Sequence, residues 1–468
     1  MAAYVPLSHI RQRERVNAVK NRASLSRSPR KSIAVISVAL AGALALTAMP
    51  AQGASTPGVS DTEIVLGMQL PQTGAASPGY NKVDDAMRAY FDYVNSKGGV
   101  YGRKITLVAK DDAYKAGLTV STASALINKD KVFAMVGSIG TQTHISVIKD
   151  INRRGIPDLF VLSGYSGFYT DPKKYPTTFG SLGTYVVEAK IIGKYIKENL
   201  STKNVGILYQ TDDFGRNTVE GLATAGVTFT AKKNAATFIA GAQAGGLDAQ
   251  MQQLKDNNVE VVVVGATASA FAAAVGSANK IGYKPQYIVI SVGSDATTFQ
   301  TILFTKGIPF ASSAALLAGT ISASHAPSPG EADDEFVKAF KKINDEFNTG
   351  PAAGKAWDNN VLQGMNIGYT MTAALMGAGK DLTRPGIIKY IENNPAKLSS
   401  AALAPLGYSA KTHEAYTGFW IGKYDATAVL KPIDDTRKVW TTDSAKGAVT
   451  ELKYTRPAIA ADALPKVG

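Results

Sequence analysis

The chain is 468 residues long, about three typical domain lengths, which excludes a single small domain. Hydrophobic residues make up 45% and charged residues 19%, a balance that supports sizeable cores and excludes extensive disorder. There is no cysteine, which removes disulfides, thiolate metal sites, cysteine nucleophiles and lipid attachment at an N-terminal cysteine.

The formal charge of +13 is unevenly placed. Residues 1–54 carry eight Lys or Arg against the single acid Glu14, which leaves 42 basic and 36 acidic residues for the rest of the chain. That remainder is a mildly basic surface with no dense cluster, so no nucleic-acid partner is expected. Within the basic segment, Ile33–Thr47 is almost entirely apolar and small; it follows Arg30-Lys31 and precedes Ala48-Met49-Pro50-Ala51-Gln52-Gly53-Ala54. A basic flank, a short apolar run and small residues at a break read as a secretory signal over residues 1–54. The run is shorter than the roughly 20 residues of a membrane span. Cleavage after Ala51, Gly53 or Ala54 fits, and the mature protein is expected outside the cytoplasm.

From Glu63 the chain alternates short apolar runs with helical patterns. Ile64–Met68 reads as a buried strand, and Val83, Ala86, Met87, Tyr90, Phe91 and Val94 fall on one helical face. Lys97 and Gly98-Gly99 supply that helix's C-terminal charge and cap. Lys104–Lys110 is the next strand, and Leu118, Thr122, Ala125 and Leu126 mark the next helix. Strands at Val132–Val136 and Asp158–Leu162 flank a helix over Thr141–Arg154. The alternation restarts with strands at Val205–Tyr209, Val227–Thr230, Val259–Val264 and Tyr287–Ile290. Helices follow around Phe336–Phe347 and Trp357–Gly379, and the tail from about Leu406 has hairpin-like pieces such as Tyr416–Tyr424. Two successive sets of strand–helix units imply two α/β lobes, each with a parallel sheet covered on both faces.

The catalytic inventory is thin. The zincin, nucleophile-elbow and phosphate-loop motifs are all missing, and no metal or cofactor is expected. Gly377-Ala378-Gly379-Lys380 reads as a helix C-cap. His144, His325 and His413 are scattered and read as ordinary surface or capping residues. Asp111-Asp112 and Asp212-Asp213 each follow a strand and read as helix or turn caps.

The strand ends carry more information. Gly137-Ser138-Ile139-Gly140-Thr141-Gln142-Thr143 follows one strand and opens a helix, and Ser163-Gly164-Tyr165-Ser166-Gly167 follows the next. In open parallel sheets, ligands bind beyond the carboxyl ends of the strands, where helix N-termini offer free N–H groups to oxygen anions. Spacing alone leaves two readings open: a cradle completed by Thr141 and Ser166, or residues that merely cap helices and turn the chain.

Several runs together narrow the choice. Asn95-Ser96-Lys97-Gly98-Gly99-Val100-Tyr101-Gly102-Arg103-Lys104-Ile105, the following Asp111-Asp112, the Gly137–Thr143 turn, Gly155-Ile156-Pro157 before Ser163-Gly164, and Leu208–Gly215 closely resemble the leucine/isoleucine/valine-type periplasmic solute-binding proteins of ABC transporters. Asp171-Pro172-Lys173-Lys174-Tyr175-Pro176 is similar to the branch associated with amide, aromatic and other non-standard ligands. The resemblance spans about residues 60–455.

It implies a type I periplasmic-binding-protein fold, α/β, with two Rossmann-like lobes joined by a three-strand hinge. Lobe 1 is expected at residues 60–182 and 322–403, and lobe 2 at 183–321 and 404–456. It further implies an extracytoplasmic, monomeric protein that is no enzyme. Such a protein holds a small carboxylate, amide or amino-acid-like ligand between its lobes and delivers it to an ABC permease in the inner membrane. A sensor of the same fold, or an enzyme on a doubly wound scaffold, is the alternative.

Carried onto this sequence, the ligand carboxylate falls to Thr141, Tyr165 and Ser166, with Ser138 and Gly140 in the same turn. Phe214 packs on the ligand from lobe 2, and Thr267, Ser291 and Val292 line the far side. Two departures stand out. Amino-acid-binding members place an acid after the strand matching Tyr287–Ile290, where this chain has Ser291-Val292-Gly293-Ser294 and only later Asp295. Tyr165 stands where the family usually has a small residue, so its ring narrows the pocket, stacks on a flat ligand or packs outside the site.

Overall fold

The computed structural model describes residues 56–351, 357–434 and 436–467. The expected leader at 1–54 lies outside them. Among the described residues, no helix is long and apolar enough to cross a membrane.

The first sheet is built from β1 (Glu63–Leu70), β2 (Lys104–Asp111), β3 (Ala134–Val136), β4 (Asp158–Val161) and β5 (Thr178–Gly180), all parallel, in the order β2-β1-β3-β4-β5. Strand β1 is interior, paired on both sides, and Ile64, Leu66, Met68 and Leu70 are fully buried. Burying each such side chain contributes roughly 1.5–3 kcal/mol. The helix Val83–Ser96 presents the face expected from its periodicity to the helices Glu335–Phe347 and Asn359–Ala378. There Tyr90, Phe340 and Tyr369 meet edge to face or tilted, with ring centroids 5.6–5.9 Å apart.

The second sheet holds β6 (Val205–Gln210), β7 (Ala235–Phe238), β8 (Val261–Gly265), β9 (Gln286–Val289), β10 (Ile321–Ser324), β11 (Gly418–Tyr424), β12 (Leu430–Pro432), β13 (Val439–Thr441) and β14 (Thr450–Glu451). Its order is β14-β13-β11-β10-β9-β8-β6-β7, with β12 beside β11. The strands are parallel from β7 to β10 and antiparallel from β11 onward. Helix Tyr185–Asn199 covers one face, and its Lys190 is buried with the ammonium donating to the carbonyls of Asp443, Ala445 and Gly447 at 2.9–3.1 Å. That bond set fastens the C-terminal ribbon to the sheet.

Four expectations need correction. The strand read at Val227–Thr230 is unpaired chain, and Ala235–Phe238 takes its place beside β6. The single helix over Thr141–Arg154 is two, Thr141–Ile145 and Ile148–Arg153. The lobe boundary at 322 moves, because Ile321–Ser324 lies wholly in the second sheet, with Ser322 Oγ bonded to the Val289 carbonyl at 2.8 Å. The boundary at 404 moves as well: Leu406, Tyr408, Ala415 and Tyr416 pack in the first lobe's core. Beyond Glu451 the tail returns to that lobe, where Arg456 pairs with Asp334 at 2.7 Å and the Tyr90 hydroxyl donates to the Ala463 carbonyl at 2.7 Å.

Before that final return, the chain passes between the lobes at Ser181–Thr184, at His325 and at Thr417. These three passages pack on one another. The His325 ring stacks on Tyr416 (4.9 Å, 17°) and meets Phe419 edge-on (5.7 Å, 82°). Gly183 lies so close that a Cβ there would stand 2.4 Å from the Phe419 ring and 2.8 Å from the Tyr416 carbonyl. Gly183→Ala is accordingly expected to lower unfolding free energy by about 1–3 kcal/mol, through overpacking at the hinge. Urea denaturation of the two proteins checks it, with unchanged stability as the contrary result.

Candidate functional site

A cavity of about 310 Å³ lies where the carboxyl ends of the two parallel sheets face each other. Its volume is at the lower end for small-molecule pockets. Lobe 1 contributes Ile139, Gly140 and Thr141 beyond β3 and Leu162 beyond β4; lobe 2 contributes Phe214, Thr267, Ser291 and Val292 beyond β6, β8 and β9. The turns after β10 and β11 close the remaining side.

In the first wall, Thr141 Oγ1 lies 2.8 Å from Ser163 Oγ, and both atoms are buried. The Tyr185 phenol sits beside them; burial pushes it up to about 12, opposed by hydrogen bonds from Gly164, Thr141 and Ser163. Tyr114 enters the same space by an unusual route. Ala113 and Tyr114 are both left-handed (φ 48° and 56°), and Asp111 Oδ1 and Asp112 Oδ1 accept from their N–H groups at 2.8 and 2.9 Å. The paired acids are turn caps, as read from the sequence, and their effect is to aim Tyr114 inward. Gly140, at φ 121°, leaves room for it: a Cβ there would lie 2.7 Å from the Tyr114 ring. Tyr80 completes a cluster of three phenols whose ionisation burial opposes.

In the second wall, Phe214 packs against Tyr185 with ring centroids 4.4 Å apart. Asp212, the second pair's first acid, caps the helix Asp213–Thr224 through Gly215 N. Ser291 opens a short turn after β9, with Glu188 behind it: Glu188 Oε1 accepts from Ser291 N at 2.5 Å, and Oε2 lies 2.9 Å from Ser291 Oγ. Glu188 is buried, and burial pushes its carboxyl up to about 8 against those two bonds. Asp295 also reaches the cavity. Its oxygens cap Thr298 N at 2.6 Å and accept from Asn359 N across the cleft at 3.1 Å. Burial, then Asp358, raises the Asp295 carboxyl to about 6, while Lys82, paired with Asp358, opposes.

His325 forms part of the floor. Burial lowers the imidazole to about 4, opposed by the facing Gln363 amide. A neutral imidazole thus stands against the cavity beside the Gln363 amide. The other two histidines correct the surface reading as well. His144 is buried with Nε2 2.8 Å from Asp158 Oδ2, and His413 is buried between the Thr178 carbonyl (2.9 Å) and Glu392 (3.1 Å). Neither lines the cavity.

Of the sequence-derived site residues, Gly140, Thr141, Phe214, Thr267, Ser291 and Val292 converge on the cavity. Ser138, Tyr165 and Ser166 do not. Ser138 Oγ accepts from Gln69 N at 3.4 Å behind the wall. Tyr165 meets Phe168 edge-on at 5.0 Å, the packing-outside alternative. Ser166 turns to the other lobe, its N and Oγ both donating to Asn217 Oδ1 at 2.9 Å. The sequence reading missed Tyr80, Tyr114, Tyr185, Glu188 and His325. Only Tyr114 had a local signal, in its place directly after the paired acids.

A family model described as periplasmic binding protein matches residues 63–428. The chain is 31% identical over 185 residues to an "Amino acid binding protein" from Pseudomonas aeruginosa, covering 39% of this chain and 47% of that one. It spans less than half the length of the first curated relatives it matches (47%, 44% and 42%). A branched chain amino acid ABC transporter protein from Thermus thermophilus with bound valine aligns at TM-score 0.69 and 17% identity, over 82% of this chain and 98% of that one. A fatty acid ABC transporter substrate-binding protein from Thermomonospora curvata aligns at TM-score 0.69 and 20% identity, over 86% and 97%. At these identities the two structures share the fold.

His325 generates a pH prediction with a definite sign. Its pKa is lower folded than unfolded, so between about pH 6.5 and about pH 4 the unfolded chain binds the extra proton and acid destabilises the fold. His325→Phe retains a stacking ring without the titration. The stability difference between wild type and this variant, measured by urea unfolding at both ends of that window, is expected to shift by at least about 1 kcal/mol toward the variant at the acid end. A constant difference would refute the assignment.

Proposed function

We propose, from the premise that this chain belongs to the periplasmic binding protein family, that it captures a small carboxylate, amide or amino-acid-like solute between its lobes and hands it to an ABC permease outside the cytoplasm. The observation that carries the reading is the convergence of Thr141, Phe214, Thr267 and Ser291, from both sheets, on one cavity at their carboxyl ends. Hydroxyls fix a polar head, and the phenols with Phe214 contact the body of the solute. The Ser166–Asn217 and Asp295–Asn359 bonds join the lobes around it.

No covalent chemistry is part of this reading. The His144–Asp158 pair, the arrangement most like an acid–base dyad, does not line the cavity. Asp295 is the acid the sequence lacked directly after β9, but its oxygens already bond backbone N–H groups of two helices. An ammonium at that position therefore competes with two caps, which favours solutes whose recognised group is a carboxylate or amide.

A thermal-shift screen against benzoate, octanoate, aliphatic amides and L-valine tests the class, since binding to the folded state alone raises the midpoint by mass action. At least one carboxylate or amide is expected to shift it; a response confined to valine overturns the preference, and none at all overturns the class. Thr141→Ala should then weaken binding at least about tenfold, as a lost hydrogen bond to a charged group costs about 1.5–3 kcal/mol. Ser166→Ala, which alters the lobe contact and not the cavity wall, should have the smaller effect by isothermal titration calorimetry.

A further inference from the structure

Glu188 is a buried carboxyl whose side chain meets a residue of the cavity wall through both oxygens. It lies in the first turn of the helix Tyr185–Asn199, 1% exposed, and among the described residues its side chain hydrogen-bonds only to Ser291, through N and Oγ. A buried carboxyl is costly unless its oxygens are satisfied, and here both oxygens are committed to the one residue that opens the cavity wall after β9.

The proton inventory gives this contact a direction. A serine hydroxyl has one O–H and two lone pairs. When Glu188 is ionised, both carboxylate oxygens only accept, so the Ser291 O–H must point at Oε2 and its lone pairs are left for the cavity. When Glu188 is protonated on Oε2, the carboxyl donates to Ser291 Oγ, and the Ser291 O–H is free to donate into the cavity. Ser291 N donates to Oε1 in both states.

We propose that Glu188 is a specificity-determining positioning residue: it sets, through Ser291, whether the lobe 2 wall accepts from a donor group of the solute or donates to an acceptor group. The neutral state selects a carboxylate or carbonyl, and the ionised state selects an N–H or O–H group. This rests on the cavity being the solute site.

The titration is local. Of the charged groups on the elements packed against this helix, Asp213 and Arg216 pair with each other, Glu220 accepts from Asn217, and Lys423 is exposed. On the helix itself, Lys190 pairs with Asp443 at the ribbon loop, and Lys194 pairs with Glu198. None of them contributes to the shift of Glu188, which comes from burial opposed by the two Ser291 bonds. Its pKa of about 8 puts both states within reach of ordinary conditions.

The test is NMR on the full chain from about pH 6 to about pH 9.5. The Glu188 side-chain carboxyl carbon and the Ser291 amide are expected to titrate together with a midpoint well above that of an ordinary glutamate. In Glu188→Gln, whose amide mimics the protonated acid, the Ser291 amide should stay flat. Ser291→Ala removes one bond that favours the carboxylate, so it should raise the Glu188 midpoint, and it tests the coupling if Glu188→Gln fails to fold. A Glu188 midpoint near the ordinary value, or a Ser291 amide indifferent to it, overturns the proposal. Benzoate, ionised throughout, should bind wild type roughly tenfold more weakly at the alkaline end, with no such loss in Glu188→Gln; an equal decline in both also overturns it. Failure of benzoate to bind bears on the solute reading and leaves the titration to decide the Glu188–Ser291 link.

Discussion

Three of the passages of chain between the lobes are held as one packed unit, and the cavity is built on it. His325 is stacked on Tyr416 and capped at its edge by Phe419, while Gly183 closes the remaining space against the same rings. A backbone bond holds one passage further: Leu403 N donates to the His325 carbonyl at 2.7 Å. The sheets meet at that knot, and the carboxyl ends of their parallel strands face the cavity. The ring at the knot's centre is also part of the cavity floor, which joins the mechanical and the binding parts of the molecule in one side chain.

Six aspartates of this protein act on backbone. Asp111, Asp112, Asp212, Asp295, Asp334 and Asp358 each accept from the N–H groups of a turn or a helix start. That use satisfies donors a helix leaves unpaired and complements its dipole. It also explains how a chain with 37 acids can leave few of them at its site. Those that approach the cavity are engaged already, and burial raises Asp295 and Glu188 toward neutrality.

Much of the fold was legible because periodicity reports burial directly. The strands at β1, β2, β6 and β8 and the helix Val83–Ser96 were found within a few residues of their ends. The failures have a common cause in side chains whose local chemistry misstates their neighbours. Ala235–Phe238 is weakly strand-like and is paired because β6 offers it a free edge, whereas Val227–Thr230 has better strand residues and no edge to join. Ser322 looks polar, yet its hydroxyl is absorbed by the Val289 carbonyl inside the sheet. Thr141 lines the cavity because its turn follows a strand that ends at the cleft. Ser166, one turn further on, is claimed by Asn217, 51 positions away, a contact no local pattern encodes.

The residues that sequence reasoning missed are the ones whose role depends on a second element. Tyr185 and Glu188 lie three apart in the first turn of the same helix and serve the two walls of the cavity, the phenol beside Thr141 and the carboxyl behind Ser291. That placement follows from the position of the helix start immediately after the first passage between lobes. The strand end after β9 lacks an acid in sequence, yet in space a carboxyl stands one hydroxyl away from the cavity. A direct carboxylate there would commit the wall to cations. Set back behind Ser291, its charge is exchanged for a choice of hydrogen-bond direction, and the wall can meet an anion with the residues that sequence alone had read as a gap.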